Sequence, residues 1–175
     1  DYARNYPQLA TPGEVMKYHQ DGALPAIQAL AGAFTVCDQW HASVPGPTWP
    51  NRLFVMSGTS LGRVKMPSGI MGLDLHWYDQ PTVFDRLNAR GKEWKVYFGD
   101  TPLSFLLVHQ WEPKNVLRHR PMTEFYEDAA GDPKDFPSFA FIEPSYLSPG
   151  ANDAHPPHDI VDADLLVARV YNAVR

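Results

Sequence analysis

Apolar residues follow two different spacings along this chain, one typical of strands and one typical of helices. Short, mostly apolar runs predict three strands: a buried one at residues 34–40, one at residues 94–98, and a strongly apolar one at residues 139–142. Between these runs the apolar positions recur at helical spacing, which predicts helices at residues 26–32, 49–57, 82–90, 103–108 and 122–130, with a final one from residue 160. Strands that alternate with helices favour an α/β layered fold with a largely parallel sheet.

Residues at the ends of several predicted helices support these assignments. Thr11 and Glu14 form a capping box, which predicts a helix starting there, and Gly91 suits the end of the helix at residues 82–90. Asp159 precedes the final helix as its N-cap. Apolar residues at helical spacing predict the buried face of that helix: Val161, Leu165, Val170 and Val174.

The segment between the second and third predicted helices is different in character. Residues 58–80 are rich in glycine and turn-forming residues, which predicts an excursion from the layered core. A short hairpin is expected around residues 70–78.

The composition limits the classes of protein to which the chain can belong. With 175 residues, 44% of them hydrophobic, it can bury one sizeable core, which predicts a single domain. The net charge is −5, and the basic residues form no run of the kind that binds nucleic acid. No stretch of sequence reaches the roughly 18 apolar residues that cross a bilayer. The single cysteine, Cys37, excludes an internal disulfide, and its apolar surroundings predict a buried, unreactive thiol.

Both ends of the sequence suggest a longer parent. The chain begins at Asp1, without an initiator methionine or a signal peptide, and no strand follows its last predicted helix. In a parallel sheet each helix returns the chain to another strand. We therefore expect residues 1–175 to form a single partial domain, with exposed strand edges and apolar faces that favour non-specific self-association.

A proline-rich turn follows the first predicted strand and leads into the next helix. Pro45 and Pro47 stiffen it, Gly46 permits an unusual backbone angle, and Pro50 suits a first helical turn. Thr48 would then lie beside free backbone N–H groups and the positive end of a helix dipole, where an anion is favoured. The turn predicts a phosphate-attacking hydroxyl at Thr48, or else a loop in which Thr48 only caps the helix.

A second candidate site lies in the loop after the last predicted strand, where residues 152–159 contain two histidines, two aspartates and an asparagine. Ligands bind at the carboxyl ends of strands in α/β sheets. Pro156 and Pro157 would hold His155 and His158 in fixed directions, as acid–base groups or donors to phosphate oxygens. A metal site is only weakly indicated, because the spacing matches no helical His pair. The alternative is a solvated loop whose final aspartate caps the last helix.

Other polar and aromatic residues are assigned structural roles. Glu143 ends a strand in front of Pro144, where a solvated sheet edge is the more common environment. The remaining histidines are scattered, which favours structural or surface positions: His19, His41, His76, His109 and His119. Six aromatic residues offer a cage for a quaternary ammonium group, although core packing is the preferred interpretation for most of them: Trp40, Trp49, Trp77, Tyr78, Trp94 and Tyr97.

Several segments of the chain, taken in order, resemble one known family. They read FTVCDQW at 34–40, SVPGPTWPNR at 43–52, SGTS at 57–60, TVFDRL at 82–87, WKVY at 94–97, FIEP at 141–144, NDAHPPHD at 152–159 and VY at 170–171. Together they resemble the bacterial phosphoesterase family of phosphatidylcholine-type phospholipases C and related acid phosphatases, which is similar to the alkaline phosphatase superfamily. The resemblance implies a layered α/β/α core with a largely parallel sheet, incomplete in this chain.

The same resemblance implies roles for individual residues. Thr48 matches a nucleophile that binds metal through its hydroxyl, and Asn51 matches an asparagine that holds the same turn or a phosphate oxygen. His155 matches a loop histidine near the leaving-group or phosphate oxygens, and Asp153 and His158 are expected to bind substrate. The family's other metal-ligand motifs are missing from the sequence. A divalent metal ion is therefore expected in the full-length parent and none in this chain.

The function implied for the parent protein is phosphodiester hydrolysis of the phospholipase C type, through a metal-activated Thr48. Acid phosphatase activity is one alternative, and a silent partial domain that at most binds anions or headgroups is another. The expected partner is a small phosphoester or a phospholipid headgroup, and the implied location is secreted or periplasmic. The chain alone is expected to be inactive, because a neutral threonine hydroxyl is a poor nucleophile.

Overall fold

The structure is a computed structural model that describes residues 16–66, 78–147, 149–156 and 158–175. The start of the helix predicted from Thr11 lies outside the described residues, and residues 17–20, where it would continue, are not helical. The hairpin predicted around residues 70–78 also lies outside the described residues, apart from Tyr78. Tyr78 forms an isolated parallel bridge with Leu107.

Three parallel strands form the sheet within the described residues. They are β1 (Trp94–Phe98), β2 (His119–Pro121) and β3 (Phe139–Glu143), in the order β2–β1–β3. In the register of the sheet, Val96 lies opposite His119 on one side and Phe141 on the other. The expected parallel sheet is thereby confirmed, as are two of its predicted strands. β2 was not predicted, because its three residues, His-Arg-Pro, contain no apolar run.

Helices occupy most of the positions that the sequence predicted. The α-helices are α1 (Pro25–Ala33), α2 (Thr48–Ser57), α3 (Val83–Ala89), α4 (Pro113–Val116), α5 (Met122–Ala130) and α6 (Ile160–Val174). The helix predicted at residues 103–108 is replaced by two short 3₁₀ helices, Leu103–Leu106 and Val108–Trp111. No helix in the described ranges is long and apolar enough to cross a membrane.

One face of the sheet packs against α2 and α3. Trp94 and Val96 lie in a buried cluster with Phe84 of α3 and with Leu53 and Met56 of α2. The ring centroids of Phe84 and Trp94 are 4.5 Å apart. Because side chains alternate along a strand, residues next to Trp94 and Val96 face the other way.

The opposite face of the sheet is covered by α5. The rings of Tyr97 and Phe125 meet edge to face with their centroids 5.2 Å apart. α5 also contacts α6, and α6 contacts α1. Buried Asp164 of α6 accepts hydrogen bonds from the backbone N–H groups of Ala26 and Ile27, at 3.0 and 2.8 Å. These are orphan donors at the start of α1, so Asp164 caps a neighbouring helix. Helices on both faces of a parallel sheet confirm the α/β layered class.

The strand predicted at residues 34–40 does not form. This segment consists of turns and irregular backbone, with Phe34 and Val36 59% and 63% exposed. Cys37 is exposed, and Trp40 is 83% exposed, so the buried thiol and the core position for Trp40 were wrong. A strand is stabilised by hydrogen bonds to a neighbouring strand, and the described sheet places none beside this segment.

The predicted buried face of α6 was also wrong. Val161, Leu165 and Val174 are exposed and Val170 is half-buried, whereas Ala163 and Asp164 are the buried residues of this helix. The face of α6 that carries Asp164 meets α1, so packing against α1 decided which face of the helix was covered.

Candidate functional site

Thr48 is the first residue of α2. Pro47 holds the N-cap position in extended backbone, and Thr48 is exposed while the next two residues, Trp49 and Pro50, are buried. Thr48 is therefore not the cap of this helix, which rules out the interpretation that it serves only in that way. An exposed hydroxyl at the start of a ten-residue helix lies beside orphan backbone N–H groups and the positive end of the helix dipole.

Asn51 fixes the turn in front of this helix. Its side-chain oxygen accepts a hydrogen bond from the N–H of Val44 at 2.9 Å. Its amide nitrogen donates to the carbonyl oxygens of Val44 and Pro47, each at 3.0 Å, and to that of Gly46 at 3.3 Å. The amide is thus engaged with the backbone of the proline-rich turn. A role for Asn51 in binding substrate stays a prediction.

Glu143, at the end of β3, is fully buried, so the solvated sheet edge expected for it was wrong. One carboxylate oxygen accepts from the backbone N–H of Ser104 at 3.0 Å. The other accepts from the N–H of Leu103 at 3.0 Å and from Nη2 of Arg52 at 2.6 Å. A buried carboxylate requires such compensation, and here it receives a cation and two backbone donors.

The loop after β3 is held in place by hydrogen bonds that its backbone N–H groups donate. Asn152 and Ser145 exchange two of them, because the N–H of Ser145 donates to the Asn152 side chain at 2.7 Å and the N–H of Asn152 donates to the Ser145 carbonyl at 3.1 Å. Oδ2 of Asp100 accepts from the N–H groups of Tyr146 and Leu147, both at 2.7 Å. The start of the loop is therefore fixed to the end of β1.

Within this loop, Asp153 and His158 form a direct pair. Nδ1 of His158 donates to Oδ1 of Asp153, and both side chains are partly buried. A carboxylate that accepts from Nδ1 fixes the ring orientation and leaves Nε2 as the second functional nitrogen. The structure thus brings together two of the residues that were predicted to bind substrate.

His155 lies nearby in sequence but is exposed. Its Nδ1 is 2.6 Å from the carbonyl oxygen of Pro156, and because a carbonyl only accepts, Nδ1 carries the proton. Nε2 is then the nitrogen that can exchange a proton with a bound molecule. A catalytic role for His155 stays a prediction.

Tyr146 connects the loop to the Thr48 helix. Its hydroxyl accepts a hydrogen bond from Nη2 of Arg52 at 2.7 Å, and Arg52 lies one helical turn after Thr48. Burial raises the pKa of Tyr146 above its usual value, Arg52 opposes this rise, and the charges of Glu143 and Asp153 add to it. The hydrogen bonds between Ser145 and Asn152 join the neighbours of Tyr146 and Asp153, which places the Asp153–His158 pair on the same part of the loop as the contact with α2.

Sequence reasoning assigned no role to Arg52 or Tyr146. The available signal was their spacing, since Arg52 follows Thr48 by four residues and Tyr146 follows Glu143 by three. Residues four apart share a helix face, which places Arg52 on the same side of α2 as Thr48.

Among the described residues, the remaining histidines and the aromatic residues have the structural or surface positions that were preferred for them, with Trp40 as the exception. His19 and His41 are exposed, His119 is buried with Ser104 and the Asn115 carbonyl as partners, and His109 lies between Asp85 and Asp79. Four of the six aromatic residues are buried: Trp49, Tyr78, Trp94 and Tyr97. His76 and Trp77 lie outside the described residues.

The described residues do not by themselves form a metal centre. No group of three or more His, Cys, Asp or Glu side chains in the described ranges is arranged to hold a metal ion. A threonine hydroxyl alone is an insufficient donor set, because divalent ions take at least four ligands. A metal bound through Thr48 would need further ligands beyond these ranges.

Comparison with known proteins gives a consistent result. The model of the Phosphoesterase family matches residues 2–175. Non-specific phospholipase C6 of Arabidopsis thaliana is 36% identical over 175 aligned positions, which cover 95% of this chain and 33% of that protein. Non-specific phospholipase C4 of the same plant is 32% identical over 92% of the chain and 30% of its own length. Hemolytic phospholipase C of Pseudomonas aeruginosa is 40% identical over 48% of the chain and 13% of its own length. The chain spans about a third of the length of the plant relatives.

Proposed function

Because this chain belongs to the phosphoesterase family, we propose that the intact protein hydrolyses phosphoester bonds with Thr48 as the nucleophile. The observation that carries the proposal is the position of Thr48, an exposed hydroxyl at the first residue of α2. Backbone N–H groups at a helix start favour the negative charge that a phosphoester brings. The Asn51 amide supports this role because it holds the turn in front of Thr48 through the carbonyls of residues 44, 46 and 47.

The proposed reaction has two displacements at phosphorus. The Thr48 hydroxyl gives its proton to solvent and its oxygen attacks phosphorus in line, which forms a phosphothreonine and breaks the bond to the alcohol oxygen. His155 acts as a general acid with both ring nitrogens protonated: it gives the proton on Nε2 to that leaving oxygen and becomes neutral. Water then attacks the phosphothreonine phosphorus and gives a proton to Nε2 of the neutral His155, while the Thr48 oxygen leaves and takes up a proton from solvent. The Asp153–His158 pair is proposed to contact the phosphate or headgroup, with Nε2 of His158 as the donor when both ring nitrogens are protonated.

The proposed substrate is a phospholipid whose headgroup phosphodiester is cleaved on the glycerol side. The support is that the plant and bacterial relatives are named phospholipases C. The proposal extends to a divalent metal ion, whose chemistry is to neutralise charge on the phosphate oxygens. The hydroxyl of Thr48 would be one of its ligands. A secreted or periplasmic location is proposed by the same likeness to the family.

The proposal is tested by replacing Thr48 in the intact protein. Thr48→Ala should abolish cleavage of phosphatidylcholine, because alanine has no hydroxyl to attack phosphorus, while the circular dichroism spectrum and melting temperature stay unchanged. Thr48→Ser should keep part of the rate. The matched control is Thr123→Ala, which removes another exposed threonine hydroxyl from the first turn of a helix, α5.

The outcomes separate the nucleophile from the substrate class. Activity of Thr48→Ala within tenfold of the parent would remove Thr48 as the nucleophile. Equal turnover of a phosphomonoester such as nitrophenyl phosphate would favour an acid phosphatase. Absence of turnover on both substrates by the parent protein would overturn the proposal as a whole.

A further inference from the structure

Arg52 makes two polar contacts through a single nitrogen. Nη2 donates to Oε2 of Glu143 at 2.6 Å and to the hydroxyl of Tyr146 at 2.7 Å. A guanidinium Nη carries two hydrogens, so each contact uses one of them and the angle between the two partners is set by the planar group. Nε of Arg52 is buried and has no hydrogen-bond partner among the described residues.

Aromatic rings hold the guanidinium group in this orientation. Its central carbon lies 5.6 Å from the ring centroid of Tyr146 and 5.9 Å from that of Phe141. Both distances are in the range of cation–π contacts. The Arg52 side chain is 16% exposed, and Glu143 is fully buried, so little water competes for the pair.

The carboxylate partner is itself immobile. Glu143 is at the last position of β3, and its two oxygens also accept from the N–H groups of Leu103 and Ser104. Glu143 therefore attaches Arg52 to the sheet and to the first 3₁₀ helix at once. Arg52 cannot move without leaving a buried charge unpaired, which is strongly unfavourable.

Tyr146, the other partner of Arg52, belongs to the loop that carries the remaining residues of the candidate site. Tyr146 lies in the loop that continues to Asp153, His155 and His158, and the hydrogen bonds between Ser145 and Asn152 join the neighbours of Tyr146 and Asp153. Arg52 in turn lies on the Thr48 face of α2. One side chain thus connects the helix that carries the proposed nucleophile to the loop that carries the proposed acid and substrate-binding groups.

We infer that Arg52 is a positioning residue, which uses Glu143 as its anchor and Tyr146 as its contact to set the Thr48 helix against the Asp153–His158 loop. The inference rests on the proposed function, because the Thr48 helix and the Asp153–His158 loop both belong to the proposed phosphoester site. Misplacement of reacting groups by about 1 Å can cost about 100-fold in rate. Loss of the Arg52 contacts should therefore lower kcat while the KM for a small phosphoester changes little.

Two mild substitutions in the intact protein test the inference. Tyr146→Phe removes only the hydroxyl that Arg52 contacts. Arg52→Lys keeps the positive charge but loses the planar guanidinium group, whose donors point in fixed directions. Each should lower kcat by about 10- to 100-fold with KM within about threefold, in line with the cost of small misplacements. The double variant should be no slower than the slower single variant, because both changes break one linkage.

Matched controls show whether the loss is specific. Tyr97→Phe also removes a tyrosine hydroxyl, but this one donates a hydrogen bond to Asp128 on the α5 side of the sheet, at 2.5 Å. Arg120→Lys alters an exposed arginine paired with Glu124 one turn along. Both should leave kcat within about twofold of the parent, since they lie away from α2 and the site loop.

The results distinguish this inference from the proposed function. If the parent protein cleaves phosphoesters but both single variants keep its kcat, or if their losses multiply in the double variant, Arg52 is not the coupling residue. If the parent shows no phosphoester cleavage, the proposed function fails instead. Hydrogen exchange gives a readout without turnover: Tyr146→Phe should increase exchange in both α2 and residues 145–156, and an increase in the loop alone would contradict the coupling.

Discussion

Gly99 lies so close to Ser145 that no side chain fits between them. A Cβ atom built at Gly99 would be 2.2 Å from Oγ of Ser145, 2.7 Å from its backbone nitrogen and 3.0 Å from its Cα. The N–H of Gly99 also donates to the carbonyl of Glu143 at 3.0 Å. The ends of β1 and β3 are thus held together at the point where the site loop leaves the sheet.

Gly99→Ala should therefore displace the backbone of the site loop and not only a side chain. We expect a loss of about 1–3 kcal/mol in the free energy of unfolding, typical of overpacking, together with reduced phosphoesterase activity. Urea unfolding and steady-state kinetics measure the two effects. Gly32→Ala is the matched control, because a Cβ there meets nothing within 4 Å. A Gly99→Ala protein as stable and active as the parent would show that the loop adjusts freely.

His155 should act on the leaving group if it is the general acid. His155→Gln should slow cleavage of substrates with poor leaving groups by about 10²–10⁴-fold, the usual range for general acid catalysis, and slow activated aryl phosphates far less. The measurement is kcat/KM across a series of phosphoesters with different alcohol pKa values. Equal losses across the series would instead indicate that His155 binds phosphate.

His109 should make stability depend on pH. Its ring nitrogens lie 2.9 Å from Asp85 and 3.0 Å from Asp79. The hydrogen bond to Asp85 raises the pKa of His109, with the charges of both aspartates adding to the rise and burial opposing it. Because the folded pKa lies above the unfolded value of about 6.5, this contribution is complete below that value and is lost as pH rises through the folded pKa.

The corresponding experiment compares the free energy of unfolding with that of His109→Gln at pH 5.5, 7 and 8.5. The difference between the two proteins should be largest at pH 5.5 and should shrink as pH rises. His41→Gln, a change at an exposed histidine, should leave the profile unaltered. A difference that is constant with pH would mean that His109 stabilises the fold without its charge.

The proposed metal requirement gives a further prediction. Treatment of the intact protein with a chelator should abolish phosphoester cleavage, and a divalent ion should restore it. The 175-residue chain by itself should show no turnover with or without added metal, because its described residues contain no group that could hold a metal ion. Metal-dependent hydrolysis by the purified chain would mean that residues such as Asp153, His155 and Glu143 assemble a site after all.

Local signals were sufficient for several elements. Asp159 caps α6 as predicted, its carboxylate accepting from the N–H of Val161 at 2.9 Å. α2 and α5 begin within one residue of the predicted positions, and Gly91 adopts the left-handed backbone that ends the α3 segment. Helix ends and dense apolar strands depend on contacts within a few residues, so their signal lies in the local sequence.

Contacts between distant residues decided what the sequence pattern could not. Glu143 is buried because Arg52, 91 residues earlier, supplies its charge partner. The face of α6 that is covered follows from α1, through a contact 138 residues apart between Asp164 and Ala26.

The sequence by itself determined the α/β class, most helices, the strands β1 and β3, and the turn that exposes Thr48 at a helix start. Only the tertiary structure decided that residues 34–40 stay irregular, that Glu143 is buried, and that Arg52 joins the Thr48 helix to the site loop. The physical reason is the distance along the chain over which each kind of interaction acts. Capping and apolar spacing act over one or two turns of chain, whereas strand pairing and burial of charge depend on which distant partner is present.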